Sequence, residues 1–148
     1  MIRTMRTALA ILAVAAVALV ARASRAQHED AHAEHFVKCA KECARCQLEC
    51  NSCQAHCVRM LKEGKKEHAP TVGTCGDCAD ACKFCASLCA RQGPFVAYAL
   101  ESCIKCCDDC GSACEKFPHD KHMAECAKVC RECAKVCREM TKHVASGK

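Results

Sequence analysis

Residues 38–57, KCAKECARCQLECNSCQAHC, place six cysteines at successive intervals of 4, 3, 4, 3 and 4 positions. A residue that recurs every 3.5 positions on average stays on one face of an α-helix and forms the seam of a bundle or coiled coil. Leucine usually holds such positions. Here thiols hold them, so whatever packs against this helix must meet sulfur.

The rhythm returns three more times. The first segment, from about His32 to Lys62, carries Cys39, Cys43, Cys46, Cys50, Cys53 and Cys57. Gly64 to Gly73, which contains Pro70, reads as a linker, and Thr74-x-x-Asp77 reads as a capping box opening the second segment. That segment holds Cys75, Cys78, Cys82, Cys85 and Cys89 and ends at Gly93-Pro94. Pro94 suits the first turn of a third helix, with Cys103, Cys106, Cys107, Cys110 and Cys114. After a break at Phe117-Pro118, the fourth segment carries Cys126, Cys130, Cys133 and Cys137 and frays at Ser146-Gly147. All 20 cysteines fall in the four segments, and only the Cys106-Cys107 doublet adds a thiol beyond the 3/4 spacing. The intervening residues are helix formers or solvent-facing groups. The pattern predicts an all-α protein, an antiparallel up-down-up-down four-helix bundle with a cysteine-lined core.

The chain opens with Arg3 and Arg6, an unbroken apolar stretch from Ala8 to Ala21, and small-residue cleavage sites up to Ala26. This layout predicts a secretory signal peptide over residues 1–26, too short for a comfortable membrane span, and a metal-binding domain over 27–148. The two leading arginines are not adjacent, so a twin-arginine leader is unsupported. Removing the leader's four arginines takes the formal net charge from +5 to +1. With no Trp and one Tyr, there is neither a basic field nor a stacking platform for nucleic acid. The mature form carries no membrane segment, and export would place it in the periplasm, where disulfides are permitted.

Thiols at seam positions are small hydrophobes, but a core of them should leave a tube partly empty, and a void costs about 24 cal/mol per Å³. Neighbours three or four apart on one helix are poorly placed for disulfide geometry. Metal is the remaining guest. Thiolates are soft ligands that select Cu(I), Zn(II) or iron–sulfur clusters, and cluster motifs bunch their cysteines in loops. Buried thiolates need compensating charge. One Cu(I) per thiolate gives a neutral tube, each copper bridging two thiolates. Zinc wants closed sites of four, and the linear spacing has no grouping into fours, although C-x-x-C pairs could each supply half a site.

The same register continues past the thiols. Met60 lies three beyond Cys57; Met123 lies three before Cys126, and His119 four before Met123. An antiparallel bundle brings these to one end, where Met60, His119 and Met123, with His56 and His122 nearby, form a candidate mouth of softer ligands. Phe36, Val96 or Leu100, and Met140 line the other end as a plug. His28, His32 and His35 form a separate candidate capture cluster before the first cysteine; His68 and His143 receive no role.

Cysteine seams of this kind, repeated from Cys39 to Cys137, are similar to those of the bacterial copper storage proteins. The resemblance implies a tube that binds many Cu(I) ions through its cysteines, with histidine and methionine near an open end, and a homotetramer in exported members. It names no copper donor or acceptor protein. The expected function is storage, buffering or detoxification of Cu(I) outside the cytoplasm, by a binding protein and not an enzyme. Zinc or general heavy-metal sequestration is the alternative, followed by a thiol–disulfide oxidoreductase using its C-x-x-C pairs.

Overall fold

Four helices account for nearly all of the residues that this computed structural model describes, 33–146. Helix α1 covers residues 33–62, followed by a single 3-10 turn at Lys66–His68, α2 at Ala69–Ala90, α3 at Val96–Cys114 and α4 at Lys121–Ser146. The compact unit starts at His35. The expected leader, its cleavage after Ala26, and His28 and His32 lie outside the described residues.

Local chemistry sets each helix end. α1 closes on Gly64 at φ 86°, with Gly64 N–H donating to the Leu61 carbonyl and Lys65 N–H to the Met60 carbonyl, both at 3.0 Å. This is the Schellman closure, which needs a left-handed residue after the helix. α2 closes the same way, but on Gln92 at φ 50°, one residue ahead of the expected Gly93. The linker is also shorter than the sequence suggests. Pro70 sits in the first turn of α2, where its missing N–H costs nothing, so helix runs through Thr71, Val72 and Gly73. Thr74 therefore lies inside α2, donating its hydroxyl to the Thr71 carbonyl at 3.1 Å, and does not open a capping box. Pro94 lies in the turn before α3, outside its first turn. Asp120 caps α4, its Oδ1 accepting the His122 N–H at 2.9 Å and the Met123 N–H at 3.3 Å.

Side-chain contacts give the order of the helices around the core. α1 meets α2 where Gln54 donates to the Val72 carbonyl at 3.2 Å. A Cβ at Gly76 would come within 2.5 Å of the same amide, so glycine permits this close approach. α1 meets α4 through Arg45 and Glu132 at 2.5 Å. α3 meets α4 through Arg131 and Glu115 at 2.7 Å, and through Arg138 and Asp108. Across the diagonal, α1 and α3 run in the same direction, Cys43 facing Cys103 and Cys53 facing Cys114, each at 3.9 Å. This is the up-down-up-down bundle that the seam predicts.

Candidate metal centre

Nineteen of the cysteines are fully excluded from solvent, and the few apolar side chains buried with them sit mainly at the ends and flanks of the bundle. Their sulfurs form a column along the core, many of them at contact distance. Cys43 and Cys137 stand 3.5 Å apart, Cys50 and Cys130 3.6 Å, Cys82 3.6 Å from both Cys103 and Cys107, and Cys110 3.7 Å from Cys75. These are contact distances, so the partly empty tube expected from a thiol core is not what forms. Buried Ala79, Ala99, Ala127 and Ala134 add little bulk, and the helices close until the thiols touch. The spacing also suits a guest: two metal–thiolate bonds of about 2.3 Å span roughly 4 Å at a trigonal metal.

In three dimensions the thiols do gather in fours. Cys39, Cys43, Cys85 and Cys137 lie within 4.8 Å of one another, as do Cys46, Cys78, Cys82 and Cys107, and Cys50, Cys110, Cys126 and Cys130. Each quartet draws on three helices, which is why linear spacing could not reveal it. Further quartets reuse the same sulfurs: Cys43 and Cys137 join Cys103 and Cys133, and Cys46, Cys50, Cys78 and Cys130 form another. The column is a lattice of shared neighbours.

Protons in the column follow the hydrogen bonds. Most of these thiols are pushed up or held down chiefly by the thiols they bond. Bonding to Cys103 pushes the Cys43 thiol up, and bonding to Cys110 does the same for Cys126. Cys133 is held down, chiefly by Cys103, and Cys110 chiefly by Cys114. At the column's ends, Cys39 is held down to about 5, chiefly by Cys137, while burial followed by the neighbouring Cys53 pushes Cys57 up to about 12.

Near Cys57 the seam changes ligand type. Met123 is 0% exposed, with its sulfur 3.5 Å from Cys53 Sγ and 3.6 Å from Cys57 Sγ. Beyond it, a cavity of ≈ 670 Å³ is lined by Met60, His56, His119, Asp120 and three lysines. His119 is exposed in the turn before α4. His56 stacks on His122, ring centroids 4.8 Å apart, and its Nε2 bonds Asp120 Oδ2 at 2.7 Å. Burial alone would raise the Asp120 carboxyl, but the bonds from His56 and the Met123 and His122 amides outweigh it and hold the group low. At the opposite end Phe36, Val96, Leu100 and Met140 are all buried in the core, and His35 stacks on His143 at 3.7 Å.

The model of the copper storage protein family matches residues 32–142, three quarters of the chain. The chain belongs to the copper storage protein family. Among solved structures, it is similar to a cytosolic copper storage protein from Streptomyces lividans described as loaded with five coppers, at 26% identity and TM-score 0.70 over 76% of this chain and 97% of that one. A structure of the copper storage protein of that organism carrying 10 copper equivalents matches at 27% identity and TM-score 0.68, over 74% and 86%. A histidine-to-alanine variant from the same source matches at 27% and 0.68, over 74% and 94%. No curated protein sequence matches.

Of the residues expected to bind metal, the structure gathers 19 cysteines and Met123 in the core and sets Met60 and His119 on the ≈ 670 Å³ cavity at one end. The doublet separates. Cys107 points into the core, whereas Cys106 lies half-buried on the flank; burial raises its thiol and Ser102 partly offsets this. Sequence reasoning missed His68. It comes from the supposed linker, outside every register, yet is 4% exposed, stacked on Phe117 at 4.2 Å and edge-on to His56 at 6.0 Å. Its Nδ1 is buried without a partner. Asp120, the cap of α4, was missed as well.

Proposed function

We propose that the bundle, residues 27–148 in the mature protein, binds and stores many Cu(I) ions on its 19 buried thiols. The single observation that carries this reading is the set of buried thiol quartets, each within 4.8 Å, in which the same sulfurs are shared between neighbours. A shared thiolate suits an ion satisfied by two or three soft ligands. One Cu(I) per thiolate leaves the core neutral, which burial demands. Met60, His119 and Met123 form the admitting mouth, with His56, His68 and His122 behind it. The family and the burial of the C-x-x-C pairs support a store, not a catalyst, because a redox pair must be reachable. No described helix is long and apolar enough to cross a membrane. The leader reading places the store outside the cytoplasm, unlike the Streptomyces proteins described as cytosolic. The homotetramer implied by the resemblance is read directly by sedimentation; a monomer mass ends it.

The test is an anaerobic titration of reduced protein with Cu(I) against a competing chelator. Tight uptake near one ion per buried thiol supports the store; weak retention sinks it. The zinc reading keeps one specific observation in its favour: the three disjoint quartets could each close around one ion. Tight zinc binding at about a quarter of the thiol count, with weak copper retention, would establish that reading instead.

A further inference from the structure

The mouth carries a charge that a metal cation does not call for. Lys65, Lys116 and Lys121 line the ≈ 670 Å³ cavity that also holds Met60. The single carboxylate in that lining, Asp120, is committed to His56 and to the first turn of α4. Lys65 also reaches Glu63 at 3.2 Å. More telling, its Nζ donates to the Met60 sulfur at 3.2 Å. An ammonium group thus occupies the lone pair of the outermost soft ligand. Free Cu(I) approaching Met60 would meet like charge at the point of capture. The plug end shows no such lysine cluster, its cavity of ≈ 150 Å³ pairing Lys38 with Glu139 beside Val136, Met140 and two histidines.

We infer that the mouth receives copper as a small anionic Cu(I) complex, such as a bis-thiolate, for which the three lysines are the docking groups. The inference rests on the storage reading and on this end being the loading end. As the complex settles, Lys65 turns from the Met60 sulfur to the carrier's negative charge, and the freed thioether meets the copper. Ligand exchange follows without redox change. A core thiol forms its S–Cu bond and releases a proton. One carrier ligand leaves as the thiol with that proton, and the second leaves as the thiolate. Copper stays Cu(I), and the complex's negative charge departs with the carrier. Oppositely charged clefts raise encounter rates by about 10–10³-fold and lose the advantage in salt.

Two small carriers with the same sulfur donors and opposite charge test this: the Cu(I) bis-thiolates of 3-mercaptopropionate, net negative, and of cysteamine, net positive. Loading is followed anaerobically by stopped-flow, using the luminescence of Cu(I)–thiolate clusters. At low ionic strength the intact protein should load at least about tenfold faster from the anionic carrier. The preference should collapse near 1 M salt, where the screening length is about 3 Å. Combined Lys65→Gln, Lys116→Gln and Lys121→Gln should abolish the preference. Removing equal charge elsewhere, with Lys83→Gln, Lys105→Gln and Lys128→Gln, should preserve it. Equal rates from both carriers in the intact protein, or equal losses in the two triple variants, overturn the inference while leaving storage intact. Uptake from neither carrier overturns both.

Discussion

Replacing Cys106 or Cys130 by alanine should have opposite consequences, although both belong to the same cysteine rhythm. Cys130 is fully buried, with its sulfur 3.6 Å from Cys50 and 4.0 Å from Cys46. Cys106 flanks the core and is the one cysteine not fully buried. If one Cu(I) balances each buried thiolate, the intact protein should saturate near 19 ions, the number of buried thiols. Cys106→Ala should then leave the end point unchanged, and Cys130→Ala should lower it by about one, because one charge fewer needs balancing. Alanine is the right replacement; serine would bury a hydroxyl among sulfurs. The apo bundle should lose only about 1 kcal/mol in Cys130→Ala, one sulfur's worth of transfer and cavity energy. Native mass spectrometry of anaerobically loaded protein resolves single coppers and so reads the difference directly. Loss of a copper from Cys106→Ala, with none from Cys130→Ala, would refute the assignment of storage to the buried column.

Truncating Met60, His119 and Met123 together should slow Cu(I) loading while changing capacity little; an unchanged loading rate in stopped-flow would remove them from the path. Asp120→Ala should cost the apo protein about 0.5–2 kcal/mol through the lost cap of α4, measured by urea unfolding. The Asp120 carboxyl is held below its ordinary 3.8; its contribution is therefore complete above that value and lost as pH falls through the lower folded one. The gap between intact and variant protein should accordingly close in acid. Gln92→Gly should stabilise the apo bundle by about 1 kcal/mol, because Gln92 ends α2 in the left-handed region at φ 50°; a drop in thermal midpoint would contradict the Schellman reading.

The helices, their order and the buried face were legible because a 3/4 repeat of one residue type fixes both helical periodicity and facing direction. Helix ends were less so. Pro70, Gly73 and Thr74 look like a linker and a cap by composition, but proline in a first turn costs a helix nothing, and the burial of Thr71 holds that turn against the bundle. The doublet was ambiguous for a geometric reason: from Cys103, steps of 4, 3 and 4 lead through Cys107, and steps of 3, 4 and 4 through Cys106. Both reach Cys110 and Cys114. Only packing chooses between them. His68 could not be found by register at all, since it reaches His56 and Phe117 by way of the loop that follows the left-handed Gly64.

The contact between thiols changes the physical account of why this core holds metal. An empty tube would favour any guest that fills it, and would select by size. A column already closed at 3.5–4.0 Å gains little from filling. What remains to select the guest is chemistry: protons leave sulfur, charge must be balanced in a dry interior, and most neighbours are shared. Those conditions favour a monovalent soft ion entered one thiol at a time over a divalent ion that must close four ligands at once. Apo and loaded bundles should therefore have nearly the same helical envelope. Small-angle scattering should give radii of gyration that agree within error before and after loading. A clear expansion would mean that copper has to prise the column open, and would return the argument to cavity filling.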